Sequence, residues 1–182
     1  MALIYLRKAR TNDVLEIMST INSAKQYLKR QGIDQWQNHY PNRNTVQQDI
    51  RHHVGYVLID GHRIAGVASL IPGIDRSYLN LQAGKWLHSP RAHYATIHRV
   101  AIANQFRGHG LSQILMSNLI SLAINHRYYD LRIDTHPQNH GMQHVIQSNG
   151  FTKRGIIHTL EGHRQADSTR YAYQLVIEGD QS

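Results

Sequence analysis

Cysteine is absent from the 182 residues. Disulfides and thiolate metal sites are therefore excluded. No apolar run approaches the ~18 residues of a membrane-spanning helix. The start, Met1-Ala2-Leu3-Ile4-Tyr5-Leu6-Arg7-Lys8, has too short an apolar run for a signal peptide, and its charges follow that run. A soluble cytoplasmic protein with no membrane partner is the expectation. Acidic residues are few, 12 against 20 Lys and Arg, for a formal charge of +8. The basic residues are scattered, with no dense block and no aromatic-interleaved stripe, so no nucleic-acid partner is expected. The 14 histidines are spread out, no His-Glu-x-x-His pair occurs, and no metal site is predicted.

Periodic apolar blocks fill the space those absences leave. Ala2–Ala9 alternates as a first strand. Thr11-Asn12-Asp13 reads as the N-cap of a helix whose stripe runs Val14, Leu15, Ile17, Met18, Ile21, Ala24 and Leu28, and Gly32 ends it. Ile33–Pro41, with Trp36 and Tyr40, reads as a loop. Asn44-Thr45-Val46-Gln47 reads as the cap of a short helix reaching about His53. Strands over Val54–Ile59 and His62–Ile71 flank the hairpin turn Asp60-Gly61. Residues 74–92 have no clear period and read as an irregular excursion that closes over a site.

A strand over Tyr94–Ile102 follows, then a helix from Leu111 to His126 with Ile114, Leu115, Leu119, Leu122 and Ala123 on one face. Asp130–Thr135 is a strand, Asn139 opens a helix stopped by Asn149-Gly150, and strands lie at Phe151–Ile157 and Thr169–Ile177. Glu161-Gly162-His163 reads as a turn. There is no repeat or linker, so residues 1–178 form one α/β domain with a mixed sheet, and 179–182 a polar tail.

Between the strand at Tyr94–Ile102 and the helix at Leu111 lies Arg107-Gly108-His109-Gly110. A glycine turn at a helix start leaves backbone N–H groups and the positive end of the helix dipole exposed, which suits a phosphate. The Gly-Lys-Ser/Thr ending of a nucleotide-triphosphate loop is missing.

The stretch resembles the acetyl-CoA signature of the GCN5-related N-acetyltransferase (GNAT) family, Arg/Gln-x-x-Gly-x-Gly/Ala, as Arg107-Gly108-His109-Gly110-Leu111-Ser112, with Ser112 at the last small position. Val100-Ala101-Ile102 is similar to the strand that pairs with the pantetheine arm in such enzymes. Asn139, with Gly150-Phe151 eleven and twelve residues on, resembles the family's closing motif. The resemblance implies a single-domain GNAT fold, a mixed, mostly antiparallel sheet flanked by helices with splayed central strands. It implies acetyl-CoA as co-substrate, direct attack of a primary amine on the thioester, and backbone amides of Gly108 to Ser112 on the pyrophosphate. The acceptor is a small-molecule, peptide or protein amine. Dimers are common in the family, and a homodimer is a possible assembly. A non-catalytic acyl-CoA-binding or sensing module on the same fold is the second reading.

For the general base, Asp134 lies five residues before Asn139, a spacing similar to that of the catalytic glutamate in ribosomal-protein alanine acetyltransferases. The alternative is a strand-end carboxylate that caps the next turn or binds Arg132. His136 shares its face by alternation and titrates in a suitable range, and His98 is a weaker candidate. The family tyrosine seven residues after the asparagine is Ile146 here, so no residue is assigned as general acid. The loops 31–42 and 158–168 should flank the acceptor. Trp36, Tyr40, Asp34, Glu161 and Asp167 are the candidates there, with packing under a loop as the alternative for Trp36 and solvated positions for the acids; Tyr171, on the last strand, is a further candidate, with core or surface packing as its alternative.

Overall fold

Alternation of side chains across a single sheet determines where each helix packs. The computed structural model describes residues 3–159 and 168–178; the expected turn at Glu161-Gly162-His163, the acceptor candidates Glu161 and Asp167, and the tail 179–182 lie outside them. The elements run β1 (Ile4–Lys8), α1 (Val14–Arg30), α2 (Arg43–Arg51), β2 (Gly55–Asp60), β3 (Arg63–Pro72), β4 (Ala95–Ile102), α3 (Leu111–Asn125), β5 (Asp130–Thr135), α4 (His140–Ser148), β6 (Thr152–His158) and β7 (Thr169–Val176). The strands form one seven-stranded sheet in the order β1-β2-β3-β4-β5-β7-β6. Its pairings are antiparallel except β4 with β5. This is the mixed α/β architecture expected from the sequence.

Each face of the sheet has its own cover. Val57, Ile59, Ile64, Val67 and Ala101 point to α1 and α2, where Val14, Ile17, Ile21, Ala24 and Val46 pack on them. Their chain neighbours Leu58, Ala65 and Ala68, with Leu70, Ile97, Leu131 and Ile133, point the other way, to Leu111, Leu115, Met116, Leu119 and Ile146 of α3 and α4. Ile146, at the expected tyrosine position, is fully buried in this second cluster.

Two helix starts differ from the expectation. Thr11–Asp13 forms a 3-10 turn, and α1 begins at Val14 without a side-chain cap. The Asp13 carboxylate instead accepts the Arg10 N–H at 2.7 Å and the Arg7 guanidinium at 2.7 and 2.9 Å. In α2 the cap is Asn42 rather than Asn44. Its Oδ1 accepts the Thr45 N–H, while the Thr45 hydroxyl accepts the Asn42 N–H. That reciprocal box makes Thr45 the third helical residue and moves the start upstream.

The excursion after β3 is ordered by aromatic packing. Arg76–Leu79 forms a 3-10 turn, and Tyr78, Trp86 and Tyr94 pack with Ile157 and Ala172. They cover the β5–β7 part of the sheet on the α1/α2 side. Beneath them the buried Arg132 guanidinium lies 4.4 Å from the Trp86 ring and 3.8 Å from that of Tyr94, and it pairs with Asp130. The loop is fastened to β6 by reciprocal backbone bonds between Gln82 and Ile156, both 2.8 Å. Gly84 presses so closely on this strand that an added methyl group would run into the Arg154 carbonyl. Gly84→Ala should therefore destabilise the protein by about 1–3 kcal/mol through forced separation of loop and strand. Urea unfolding reads this, and an unchanged midpoint would contradict the tight docking.

Candidate active site

The site begins where β4 and β5 part. Their parallel ladder has only two rungs, Ala95 with Leu131 and Thr96 with Arg132. Beyond them both strands continue, β4 to Ile102 and β5 to Thr135, but they no longer pair. The result is a fork whose two inner edges no longer pair with each other, a gap of a kind that can accept an extended chain of amides. Expected cofactor residues Val100, Ala101 and Ile102 lie on the β4 arm, and Asp134 on the β5 arm.

A bulge bends the β4 arm. Val67 pairs with Ala101 and Ser69 with His98, so Arg99 and Val100 together face Ala68. Arg99 takes a left-handed φ of 57°. Its guanidinium secures the bulge: Nε and Nη2 each donate at 2.8 Å to the Asp49 carboxylate of α2, and Nη1 donates to the Tyr40 hydroxyl at 2.6 Å. Ser69 Oγ donates to the same carboxylate at 2.6 Å. The bulge, α2 and the loop before α2 are thus held together. Neither Arg99 nor Asp49 was expected as a site residue, since a bulge leaves no periodic trace in the sequence.

At the end of the β4 arm the chain turns into α3. Gly108 and Gly110 take φ of 80° and 72°, and no atom lies within 4 Å of where a Cβ would stand on either. Among the described residues no protein group accepts from the N–H groups of Gly108, His109, Gly110, Leu111 and Ser112. The first turn of α3 carries no acidic side chain, so its positive dipole end is uncompensated. These donors and that dipole make an anion cradle, and a pyrophosphate fits its chemistry. Arg107 does not reach into the cradle as a free cation. Its guanidinium stacks on Tyr27 at 4.2 Å, and burial pushes its pKa below the ordinary value.

A cleft of about 450 Å³ opens between the end of α1 and the start of α4, lined by Tyr27, Gln31, Ile33, Asn139 and His140 among others. Asn139 caps α4, its Oδ1 accepting the Met142 N–H at 3.1 Å, and its Nδ2 donates to Gln35 Oε1 at 2.9 Å. It thereby ties the loop after α1 to α4.

The proposed base and its neighbours lie on the excursion side of the fork. Asp134 Oδ2 accepts the Tyr78 hydroxyl at 2.8 Å. The expected alternative pairing with Arg132 is not what the structure shows, since that guanidinium is taken by Asp130. Across the fork, His98 Nε2 lies 3.0 Å from Asp75 Oδ2. Burial acts to raise the Asp75 pKa, but the His98 contact and the Ser77 N–H outweigh it, and the carboxyl titrates below its ordinary range. His136 follows β5 and is buried, its Nδ1 accepting the Gln138 N–H at 3.2 Å.

Among the expected acceptor residues, Trp36 and Tyr171 are not gathered around Asp134, and the Tyr40 hydroxyl accepts from Arg99. Trp36 packs against the α1/α2 cluster, the alternative read for it from the sequence. Tyr171 is opposite Thr135 in register and packs with the α3/α4 cluster, so it points to the opposite face of the sheet from Asp134. The Lys153 ammonium lies 3.0 Å from its ring centre.

Residues 19–151 match the model of the acetyltransferase (GNAT) family. A GNAT acetyltransferase structure from Streptococcus agalactiae is 36% identical, with a TM-score of 0.86, covering 97% of this chain and 96% of the other. One from Listeria monocytogenes is 19% identical, with a TM-score of 0.72 and coverage of 96% and 95%. The Salmonella typhimurium protein yncA, solved with its cofactor acetyl-CoA, is 17% identical, with a TM-score of 0.66 and coverage of 98% and 96%. No curated protein sequence matches the chain.

The openness of the cradle makes one substitution decisive. Gly110→Glu places a carboxylate among the donors at a left-handed residue, and it should weaken coenzyme A binding about a hundredfold or more, the loss of two hydrogen bonds to a charged group. Calorimetric titration measures this, and an unchanged affinity would remove the cradle from the site.

Proposed function

The chain belongs to the GNAT acetyltransferase family, and from that premise we propose that it transfers the acetyl group of acetyl-CoA to a primary amine. The observation that carries this reading is the fork between β4 and β5, whose β4 arm runs on through a short turn into the cradle at Gly108–Ser112. The bound thioester supplies the acetyl group: its C–S bond breaks, a C–N bond forms to the amine, and the products are the amide and the free thiol. Overall one ammonium and one thioester give one amide, one thiol and one released proton.

The residues divide that work. Backbone N–H groups of Gly108 to Ser112 hold the pyrophosphate without relying on side chains. The inner edge of the β4 arm at Val100–Ile102 takes the pantetheine amides, and a backbone N–H there stabilises negative charge on the thioester oxygen. Asp134 accepts the amine proton, directly or through a water. The acceptor is a small-molecule amine or a peptide or protein amine, approaching past the loop after α1.

A second reading, a non-catalytic acyl-CoA sensor, is favoured by one observation. Ile146 is fully buried where the family tyrosine would stand, so that position offers no acid to the leaving sulfur. Turnover separates the two readings. With a panel of amines, thiol release should be seen for the wild type. Asp134→Asn should slow it about a hundredfold with the KM for acetyl-CoA unchanged. Tight binding of acetyl-CoA without thiol release across the panel would favour the sensor.

A further inference from the structure

Several contacts of the excursion between β3 and β4 hold one side chain, Tyr78. Tyr78 is fully buried. Its ring is flanked by Trp86 at 5.5 Å, Tyr94 at 6.4 Å and His98 at 6.3 Å between centroids. The Trp86 indole N–H donates to the Tyr78 carbonyl at 3.0 Å. The Tyr78 N–H donates to the Asp75 carbonyl at 3.1 Å, and the Asp75 N–H in turn donates to the Tyr94 hydroxyl at 2.8 Å. The close approach of Gly84 to β6 fixes the whole loop on the sheet. The side chain held this firmly spends its one polar atom on Asp134 Oδ2, at 2.8 Å.

Asp134 and His98 are corresponding positions across the fork. Each stands two residues beyond the last rung, formed by Thr96 and Arg132. Tyr78 spans the gap between them, with its ring against His98 and its hydroxyl on Asp134. A phenol that donates to a carboxylate favours the ionised carboxylate and restricts its rotamer. A base that must accept a proton needs both conditions.

We infer that Tyr78 is a positioning residue for Asp134, holding its carboxylate ionised and in one orientation at the fork. The inference rests on the reading of Asp134 as the base. It gives the excursion a task in the reaction and assigns that task to a residue outside the cofactor-binding motifs.

Kinetics of single and double variants test it. Tyr78→Phe removes only the hydroxyl. Coenzyme A affinity by calorimetry and the thermal midpoint report that the variant is folded with its cradle intact. It should lower kcat about tenfold, the scale of a lost hydrogen bond to a charged group, and leave the KM for acetyl-CoA unchanged. In the Asp134→Asn background the same change should have no further effect, because the group it acts through is gone. An unchanged kcat in Tyr78→Phe, with Asp134→Asn slow, overturns the inference and leaves Asp134 as base. Equal losses in both backgrounds also overturn it, since they would mean packing alone. An unimpaired Asp134→Asn overturns the base assignment, and the inference falls with it. Should Tyr78→Phe not fold, Trp86→Phe serves, since it removes the N–H that holds the Tyr78 carbonyl and leaves the hydroxyl. It should lower kcat in the wild type and not in Asp134→Asn, and additive losses would contradict the coupling.

Discussion

The two-rung limit on the β4–β5 ladder is the constraint from which the rest follows. Parallel strands left in register would satisfy each other's backbone groups and close the sheet. Here they separate after Thr96 and Arg132. The β4 arm is turned aside by the bulge at Arg99, which is secured to Asp49 of α2 and to Tyr40. At the root, Arg132 is locked under Trp86 and Tyr94. Tyr78 reaches both arms, its ring beside His98 of the β4 arm and its hydroxyl on Asp134 of the β5 arm. Charge pairing on one arm and aromatic packing on the other hold apart two edges that no longer pair with each other. A ligand with its own amides fits a gap of that kind.

Distribution of work between the two faces follows from strand alternation. The α3/α4 face is an apolar core, with Leu131, Ile133 and Tyr173 packed on the helices. The other face of the same strands carries Asp130, Arg132 and Asp134. Polar residues on the buried face of a strand are costly unless paired, and the aromatic excursion together with Asp130 and Gln174 supplies those pairings. The loop that covers these polar groups is therefore also the loop that reaches Asp134 near the end of β5.

The sequence was informative wherever a local rule applies. The element order and the core stripe of α3 followed from period alone, because long amphipathic segments leave a regular imprint. The glycine turn at Gly108–Gly110 was legible because left-handed φ values favour that residue. Interactions between distant segments were not legible. Tyr78 meets Asp134 over a sequence separation of 56, and Arg99 meets Asp49 over 50. Residues 74–92 have no period because aromatic stacking on a sheet, rather than a helix or strand face, sets their conformation. Trp36 and Tyr171 show the reverse error. Large aromatics near a presumed acceptor loop suggest contact with a substrate, but one packs on α1 and α2 and the other faces α3 and α4.

The central claim is that acetyl-CoA lies in the fork and on the cradle, its pantetheine amides along the β4 arm and its pyrophosphate on the N–H groups of Gly108 to Ser112. Amide hydrogen exchange with and without acetyl-CoA tests it most directly. The account predicts slowed exchange on addition of acetyl-CoA at Gly108 to Ser112 and along the β4 arm at Val100–Ile102, with the β1–β2 edge of the sheet unchanged. Protection elsewhere, with the cradle and the β4 arm exchanging as before, would contradict it.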